Sequence, residues 1–363
     1  MRETAGGRRY DVMVRDRDGV QHSKTFRTKR EATDYQARAV AQLGDGVYIP
    51  PRASATTIED LAARWLAAGA GRRESTRSRE ASICRTHLLP GLRAGRSIGT
   101  VTRADCQALV DGWVAGGLAA RTVVRIAASL RSMFQYAVDA ELIGRNPAAR
   151  LRLPHPDPVE RPNLSAGDLE RLAGTLGVEQ GLFMWCGAIL GLRWAEVAGM
   201  TVGALDPTRD TISVRSQLDR HGHLVDPKTL ASRRTLAAPA WLVADLAALP
   251  RRRGVPVTDR TALVFLSRDG APLSYVNWRV RVWRPVTEAA GLPGLRFHDL
   301  RSVAASALVA AGVDLRTAMH RLGHTTPAMT LAVYARVAED RDRAAADAVA
   351  PRRPARTAAD VPT

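Results

Sequence analysis

Six polar residues in the second half of the chain have the side chains that transfer of a phosphoryl group requires. They lie in five short motifs: GLRWAE (191–196), DPKT (226–229), HDLR (298–301), LGH (322–324) and LAVYARV (331–337). The six residues are Arg193, Lys228, His298, Arg301, His324 and Tyr334. They offer a nucleophile, cations for an anionic phosphate, and groups that move protons. Their order and spacing predict attack by a tyrosine on a DNA phosphodiester.

Tyr334 is the predicted nucleophile. A phenol ionises at about pH 10 and attacks poorly at neutral pH, so it needs a proton acceptor and positive charge nearby. Most tyrosines merely pack in the fold, but among the six tyrosines only Tyr334 follows an LGH motif by ten residues. His298 is the candidate acceptor, and it precedes Arg301 by three residues, a spacing that puts both on one helical face.

Two arginines are predicted to bind the phosphate. Arg193 follows an apolar helical segment, and together with Arg301 it offers two-pronged donation to the non-bridging oxygens, where charge builds up in the transition state. His324 is expected to donate to a phosphate oxygen from the start of a helix that follows Gly323. Glu196, three residues after Arg193, is expected to position a catalytic arginine or histidine.

Lysine usage singles out one residue. Of the 53 basic residues only three are lysines, and Lys228 is the one that lies beyond residue 29. Lysine gives up a proton far more readily than arginine, so Lys228 is a candidate proton donor. The segment around it, VDPKTLASRRTL (225–236), has the pattern of a β-hairpin.

The composition favours a nucleic-acid partner. The net charge is +17 and the sequence pI about 11, which attracts polyanions. Three scattered cysteines and isolated histidines form neither a disulfide framework nor a metal site, so no metal and no cofactor are expected. With no phosphate-binding loop, signal peptide or membrane-spanning run, we expect a cytoplasmic, nucleoid-associated protein that needs no membrane.

Residues 1–50 predict a small sheet followed by a helix. Alternating apolar residues at 8–15 and 20–28 indicate two strands, and Thr28 with Glu31 forms a capping box for a helix to Gly44. A basic sheet of this size fits the DNA major groove, although the same charges are equally typical of solvated strands. The candidate DNA-binding residues here are Arg15, Arg17, Lys24 and Arg27.

Residues 57–148 predict a helical domain. A capping pair of Thr56 and Glu59 begins the first helix, Pro90 and Gly91 end a second over about 74–88, a third begins near Thr102, and a fourth covers about 122–140. Basic residues off the apolar stripe of the last helix are candidate phosphate contacts, with solvated surface as the alternative: Arg121, Arg125 and Arg131.

The remaining divisions follow from proline content and polarity. Residues 149–163 hold four prolines and predict an extended linker. Residues 164–345 predict a mostly helical catalytic domain with a strand-rich insert at 205–238, and 346–363 a disordered tail. The expected fold is multidomain and mainly α with small β-sheets.

The motifs resemble the tyrosine recombinase (phage integrase) family over nearly the whole chain, most strongly at 185–338. FQYAVDAELIGRNPA (134–148) resembles its helical, SAM-like core-site-binding domain, and SKTFRTKREA (23–32) is similar to the arm-binding domain of lambda-like integrases. The resemblance implies cleavage and rejoining of DNA through a 3′-phosphotyrosine without metal or ATP. It also implies that Lys228 protonates the departing 5′-oxygen.

The resemblance also implies partners. They are double-stranded attachment-site DNA, three further copies of the chain in a tetramer, a host DNA-bending protein and an excisionase. A type IB topoisomerase and a chromosome-dimer-resolving recombinase are the alternative enzymes, but the arm-like hairpin disfavours both. A catalytically silent DNA-binding protein is the non-enzymatic alternative.

Overall fold

A computed structural model describes residues 2–4, 7–15, 19–44, 55–157, 164–227, 230–327 and 331. The chain divides into two compact units, Met1–Val159 and Glu160–Thr363. The division falls inside the proline-rich segment. Among the described residues, none of the helices is long and apolar enough to cross a membrane.

Two strands and a helix of the N-terminal region form where the sequence predicts them, and a further short strand at Arg2–Thr4 was not predicted. The elements are β1 (Arg2–Thr4), β2 (Gly7–Arg15), β3 (Gln21–Phe26) and α1 (Lys29–Gly44), with the strands antiparallel in the order β1-β2-β3. Thr28 and Glu31 each accept a hydrogen bond from the other's backbone N–H at 3.2 Å, which confirms the capping box. Val12 and Val14 bury one face of the sheet against α1.

The second part of the N-terminal unit is helical. Its helices are α2 (Ile58–Ala68), α3 (Glu74–Ile83), α4 (Leu89–Leu92), α5 (Arg103–Ala115) and α6 (Ala120–Asp139). The capping box of α5 joins Thr102 and Asp105. The predicted apolar stripe of α6 is confirmed, because its members are all at most 2% exposed: Val123, Ile126, Leu130, Met133, Phe134 and Ala137.

The predicted cap of α2 is wrong by one residue. Thr57 caps the helix and exchanges hydrogen bonds with Asp60, so the pair of Thr56 and Glu59 is not the cap. The two capping patterns overlap in sequence, and neighbouring structure selects between them. Ile58 donates its N–H to the carbonyl of Arg96 at 2.9 Å, which fixes where the helix begins.

The predicted end of the second helix at Pro90 is also wrong. Helix α3 continues through a π-helical turn (Cys84–Leu88) into α4, which contains Pro90 near its start. Inside a regular α-helix proline lacks the N–H donor and its ring clashes with the carbonyl four residues earlier, but here the N–H of Leu89 bonds to the carbonyl of Cys84, five residues earlier. The wider π turn therefore lets the chain continue helically to Leu92.

The first part of the predicted linker runs without regular secondary structure over residues 151–157. Side chains of the helical region hold this segment. Gln107 donates to the carbonyl of Arg152 at 3.1 Å, and Arg121 donates to that of Asp157 at 3.3 Å.

In its described residues, the C-terminal unit is mainly helical with two small sheets. Its helices are α7 (Ala166–Leu190), α8 (Trp194–Ala198), α9 (Ala240–Arg252), α10 (Tyr275–Trp278), α11 (Arg284–Ala289), α12 (Phe297–Ala310) and α13 (Leu315–Leu322). Its strands are β4 (Leu205–Asp206), β5 (Thr211–Val214), β6 (Gln217–Leu218), β7 (Leu224–Val225) and β8 (Arg234–Ala237). The predicted fold class and the strand-rich insert at 205–238 are both confirmed.

The hairpin predicted over 225–236 is wrong. Strand β7 pairs with β6, whereas β8 pairs with β5 in a three-stranded sheet of order β4-β5-β8. The segment thus connects two different sheets, and it contains a 3₁₀ turn at Leu230–Ser232. The turn residues of the sequence mark a connection, but they do not specify which strands it joins.

An aromatic cluster holds the C-terminal unit together around Phe183 of α7. Its ring centroid lies 5.0 Å from that of Phe265, 5.2 Å from Trp278 and 5.3 Å from Phe297. Phe183 is fully buried, so all three contacts bury apolar surface, and those with Phe265 and Phe297 also have the favourable edge-to-face arrangement. Because Phe297 is the first residue of α12, the cluster fixes the start of the helix that carries His298 and Arg301.

Candidate active site

Arg193 is placed by the turn between α7 and α8. Helix α7 ends at Gly191 in the left-handed conformation (φ +65°), and a Cβ there would lie 2.6 Å from Leu322 Cδ2. The positive φ favours glycine, and any side chain there would also have to displace the end of the Leu322 side chain. Arg193 is the N-cap residue of α8, and its side chain is 35% exposed. Its Nη1 donates to Glu196 Oε1 at 2.6 Å and its Nη2 to the carbonyl of Gly323 at 3.3 Å.

Glu196 is a buried carboxylate shared by two guanidinium groups. Its Oε2 accepts the backbone N–H of Arg193 at 3.0 Å, in addition to the side-chain bond at Oε1. Arg234 Nη2 donates to Oε2 at 3.1 Å and Nη1 to Oε1 at 3.3 Å. Burial alone would raise the pKa of Glu196, but the charges of Arg234 and Arg193 outweigh it and lower that pKa. The contact with Arg193 that the spacing predicted is present.

Sequence reasoning missed Arg234. Its side chain is fully buried, and beyond Glu196 it donates to the carbonyls of Arg321 at 2.8 Å and Ser232 at 3.0 Å. The signal was available in the alternation of β8, where Arg234 and Leu236 point inward and the residues beside them point outward. An arginine at an inward position of a strand needs a buried acceptor, and Glu196 is that acceptor.

Arg301 lies in the second turn of α12 and is 4% exposed. Its guanidinium donates to the backbone carbonyls of Gly191 and Leu322, which end helices α7 and α13. Burial, and next the charge of Arg193, lower the pKa of Arg301 to about 9. The group therefore remains a cation at neutral pH.

His298 lies one turn before Arg301 and is exposed. The start of α12 is fixed by Asp299, which is 3% exposed and accepts from the backbone N–H of Arg296 at 2.9 Å and from its Nη2 at 2.8 Å. Burial raises the pKa of Asp299, but the bonds from Arg296 outweigh it and lower that pKa. The predicted placement of His298 and Arg301 three residues apart on one helix is confirmed.

His324 follows the end of α13 and does not begin a helix, so that prediction is wrong. Gly323 ends α13 in the left-handed conformation (φ +60°), and the N–H of His324 donates to the carbonyl of Met319 at 3.0 Å. This is a helix C-terminal motif, and it holds the imidazole through the backbone. A side chain at Gly323 would be strained by the positive φ and would make a tight contact, because a Cβ would lie 3.1 Å from Arg234 Nη1.

Electrostatics link His324 to the rest of the site. Burial, then the charge of Arg301, then that of Arg193, lower the pKa of His324 to about 4, and Arg234 and His298 contribute further. The imidazole is therefore neutral at pH 7 and can donate a hydrogen bond without adding charge.

The structure thus brings together four of the six predicted catalytic residues: Arg193, His298, Arg301 and His324. Lys228 and Tyr334 lie outside the described residues. On either side of Lys228 in the sequence, Asp226 and Arg233 form an ion pair at 2.8 Å. The cluster has three guanidinium groups and one carboxylate, so it favours a bound anion such as a phosphodiester. Within the described ranges, no group of three or more His, Cys, Asp or Glu residues could hold a metal ion.

The predicted DNA-binding residues differ in their surroundings. Arg15 and Arg27 are exposed, and Lys24 lies 5.0 Å from the ring centre of Tyr35. Arg17 lies outside the described residues. In α6, Arg125 is exposed.

The other two candidates on α6 hold backbone. Arg131 donates to the carbonyl of Ala148 at 3.2 Å, and Arg121 donates to that of Asp157. Both arginines thus bind backbone carbonyls of this unit, in addition to the phosphate contacts that are predicted for them.

The chain is similar to known recombinases in sequence. Residues 175–341 match the model of the phage integrase family. The integrase of Mycobacterium phage L5 is 27% identical over 360 residues, which cover 94% of each chain. The tyrosine recombinase XerC of Mycobacterium sp. (strain KMS) is 28% identical over 272 residues, which cover 71% of this chain and 86% of the relative.

Solved structures agree in fold. The Tn1549 transposon integrase in complex with transposon right end DNA superposes with a TM-score of 0.69 at 21% identity, covering 82% of this chain and all of that one. A lambda integrase dimer bound to a COC′ core site gives 0.61 at 20% identity, covering 89% and 91%. Residues 175–341 thus match the phage integrase family, and the chain is similar to integrases and tyrosine recombinases over most of its length.

Proposed function

We propose that this protein is the integrase of a phage or other mobile element, a site-specific recombinase that cuts and rejoins DNA through Tyr334. The observation that carries the proposal is the cation cluster around Glu196. Arg193 is half-exposed and Arg301 buried, both are held by backbone carbonyls, and both influence the charge of His324. Such a site is prepared for a phosphodiester before DNA arrives.

In the proposed reaction, the Tyr334 oxygen bonds to phosphorus and the bond to the 5′-oxygen breaks. The phenolic proton goes to a base, for which His298 is the candidate, and Lys228 gives a proton to the leaving 5′-oxygen. Arg193, Arg301 and His324 stabilise the charge on the non-bridging oxygens. Attack by a 5′-hydroxyl of another strand reverses these steps and restores the tyrosine. One phosphoester replaces another, so no ATP is consumed.

The remaining domains are assigned by the same proposal. Residues 1–50 bind arm-type DNA sites, 57–148 bind the core site, and 164–345 form the catalytic domain. The match to the phage L5 integrase extends over 94% of the chain, whereas that to XerC covers 71%, which favours an integrase over a chromosome-dimer resolvase. A tetramer on two DNA sites, a host DNA-bending protein and an excisionase are the proposed partners.

Covalent trapping on a nicked suicide substrate tests the nucleophile. Tyr334→Phe should bind attachment-site DNA as the wild type does but form no covalent adduct, because phenylalanine lacks the attacking oxygen. Tyr275→Phe is the matched control, since Tyr275 is the other tyrosine of residues 160–363. It should form the adduct at the wild-type rate. An adduct in Tyr334→Phe would contradict the assignment.

A truncation tests the domain assignment. Removal of residues 1–50 should leave cleavage of an isolated core site detectable and abolish integration between full attachment sites. Integration by the truncated chain at the wild-type level would contradict the role of the arm domain.

A further inference from the structure

Arg234 links three parts of the C-terminal unit from a fully buried position. It lies at the start of β8, it pairs with Glu196 of α8, and its Nε donates to the carbonyl of Arg321 near the end of α13. Four donor contacts at 2.8 to 3.3 Å satisfy the guanidinium. Lysine has neither this number of donors nor their planar arrangement.

The two arginines that share the Glu196 carboxylate approach it from different sides. Arg234 is 0% exposed and meets Glu196 from inside the fold, whereas Arg193 is 35% exposed and meets it from the open side. With Arg193 as its sole partner, Glu196 would neutralise the guanidinium that has to bind phosphate. With Arg234 in place, Glu196 keeps a cationic partner when Arg193 turns to an incoming anion.

The contacts of Arg234 also reach His324. The carbonyl of Arg321 belongs to the last turn of α13, and the chain passes from there through Gly323 to His324. Gly323 lies so close to Arg234 that a Cβ would be 3.1 Å from its Nη1. The Arg234 guanidinium therefore contacts both Glu196, which holds Arg193, and the end of α13, which holds His324.

We propose that Arg234 is a positioning residue of the recombination reaction: it balances Glu196 so that Arg193 can bind the scissile phosphate, and it fixes the chain that presents His324. The inference rests on the proposed function and adds one positioning residue to it. Arg234 does not touch DNA, so its loss should slow bond cleavage far more than it weakens DNA binding.

The test compares Arg234→Lys and Arg234→Met with Arg253→Met, a control of the same residue type. Arg253 also clamps backbone, with Nη2 at 2.9 Å from the carbonyl of Leu263 and 2.7 Å from that of Val264. We expect both Arg234 variants to form the covalent adduct about 100-fold more slowly at saturating DNA. Their Kd for DNA should stay within about twofold, and Arg253→Met should keep the wild-type rate. A wild-type rate in Arg234→Lys, or a Kd that weakens as much as the rate falls, would overturn the proposal.

A double variant keeps the test valid where Arg234→Met folds poorly. Arg234→Met with Glu196→Gln removes both buried charges together, which avoids an unpaired carboxylate. If Arg234 acts through Glu196, the double variant should form adduct at least about tenfold faster than Arg234→Met alone. If the two single losses multiply instead, Arg234 and Glu196 act independently and the proposal fails.

Hydrogen exchange separates this inference from the proposed function. In Arg234→Met, the backbone amides of Gly323 and His324 should exchange at least about tenfold faster than in Arg253→Met, because the end of α13 loses its clamp. Unchanged exchange would overturn the positioning role whatever the activity. Faster exchange together with a wild-type protein that forms no adduct would instead contradict the proposed recombinase, while Arg234 would remain a clamp of α13.

Discussion

His324 should make the stability of the C-terminal unit depend on pH between about 4 and 6.5. An imidazole in an unfolded chain ionises near pH 6.5, whereas burial and the neighbouring arginines lower the pKa of His324 to about 4 in the folded protein. Between these values the unfolded chain binds more protons, so the free energy of unfolding falls as the pH falls. Above pH 6.5 the group is neutral in both states and has no effect.

The magnitude follows from the shift. A difference of about 2.5 pH units corresponds to about 3.4 kcal/mol at full strength, at roughly 1.36 kcal/mol for each unit. His324 is half-buried, and water screens part of the repulsion. We therefore expect about 1 to 2 kcal/mol to be lost between pH 7 and pH 4.

Substitution with glutamine isolates this contribution. His324→Gln keeps a hydrogen-bond donor but cannot ionise, and all other titrating groups are common to both proteins and cancel in the comparison. Urea unfolding followed by tryptophan fluorescence suits the measurement, because five of the seven tryptophans lie in residues 160–363. The wild type should lose about 1 to 2 kcal/mol more than His324→Gln on going from pH 7 to pH 4. Parallel curves for the two proteins, or an imidazole that titrates near pH 6.5 by NMR, would refute the reasoning.

Three further predictions on packing and helix capping can be tested by chemical denaturation. Gly199→Ala should lower the free energy of unfolding by about 1 to 3 kcal/mol, since its Cβ would lie 2.7 Å from the backbone of Gln217. The control Gly112→Ala has open space around it in helix α5, so it should be neutral or raise the free energy of unfolding by up to about 1 kcal/mol. Equal effects of the two variants would contradict the argument. Phe183→Ala should cost about 3 to 5 kcal/mol as the centre of the aromatic cluster; a loss below about 1 kcal/mol would mean that the cluster does not support the fold. Thr57→Ala should cost about 1 kcal/mol and more than Thr56→Ala, and the reverse order would restore the cap at Thr56.

Local patterns predicted the helices and strands well wherever a single pattern was decisive. The capping box at Thr28 and the apolar stripe of α6 each have one interpretation, and both are present. The cap of α2 had two overlapping solutions, and a backbone bond from Ile58 to Arg96, distant in sequence, selected one of them. Local chemistry cannot reveal such a tertiary choice.

The same distinction applies to the candidate site. Arg193 and Glu196 lie three residues apart, so their contact could be predicted, and Arg301 was selected as a candidate through its spacing from His298. Arg234 was missed because its partner Glu196 lies 38 residues away, and because one arginine among 50 carries no mark of burial. The helix start expected at His324 failed for a related reason: glycine ends a helix as readily as it precedes one.

The acceptors that hold Arg301 are main-chain carbonyls, and every amino acid supplies one. Exposed side chains along α7 and α13 can therefore vary without removing these acceptors, as long as the two helices still end at Gly191 and Gly323. Buried positions remain constrained by packing, since Phe183 of α7 contacts Phe297 at the start of α12. The two glycines are constrained by conformation, because both have a positive φ that other residues rarely adopt.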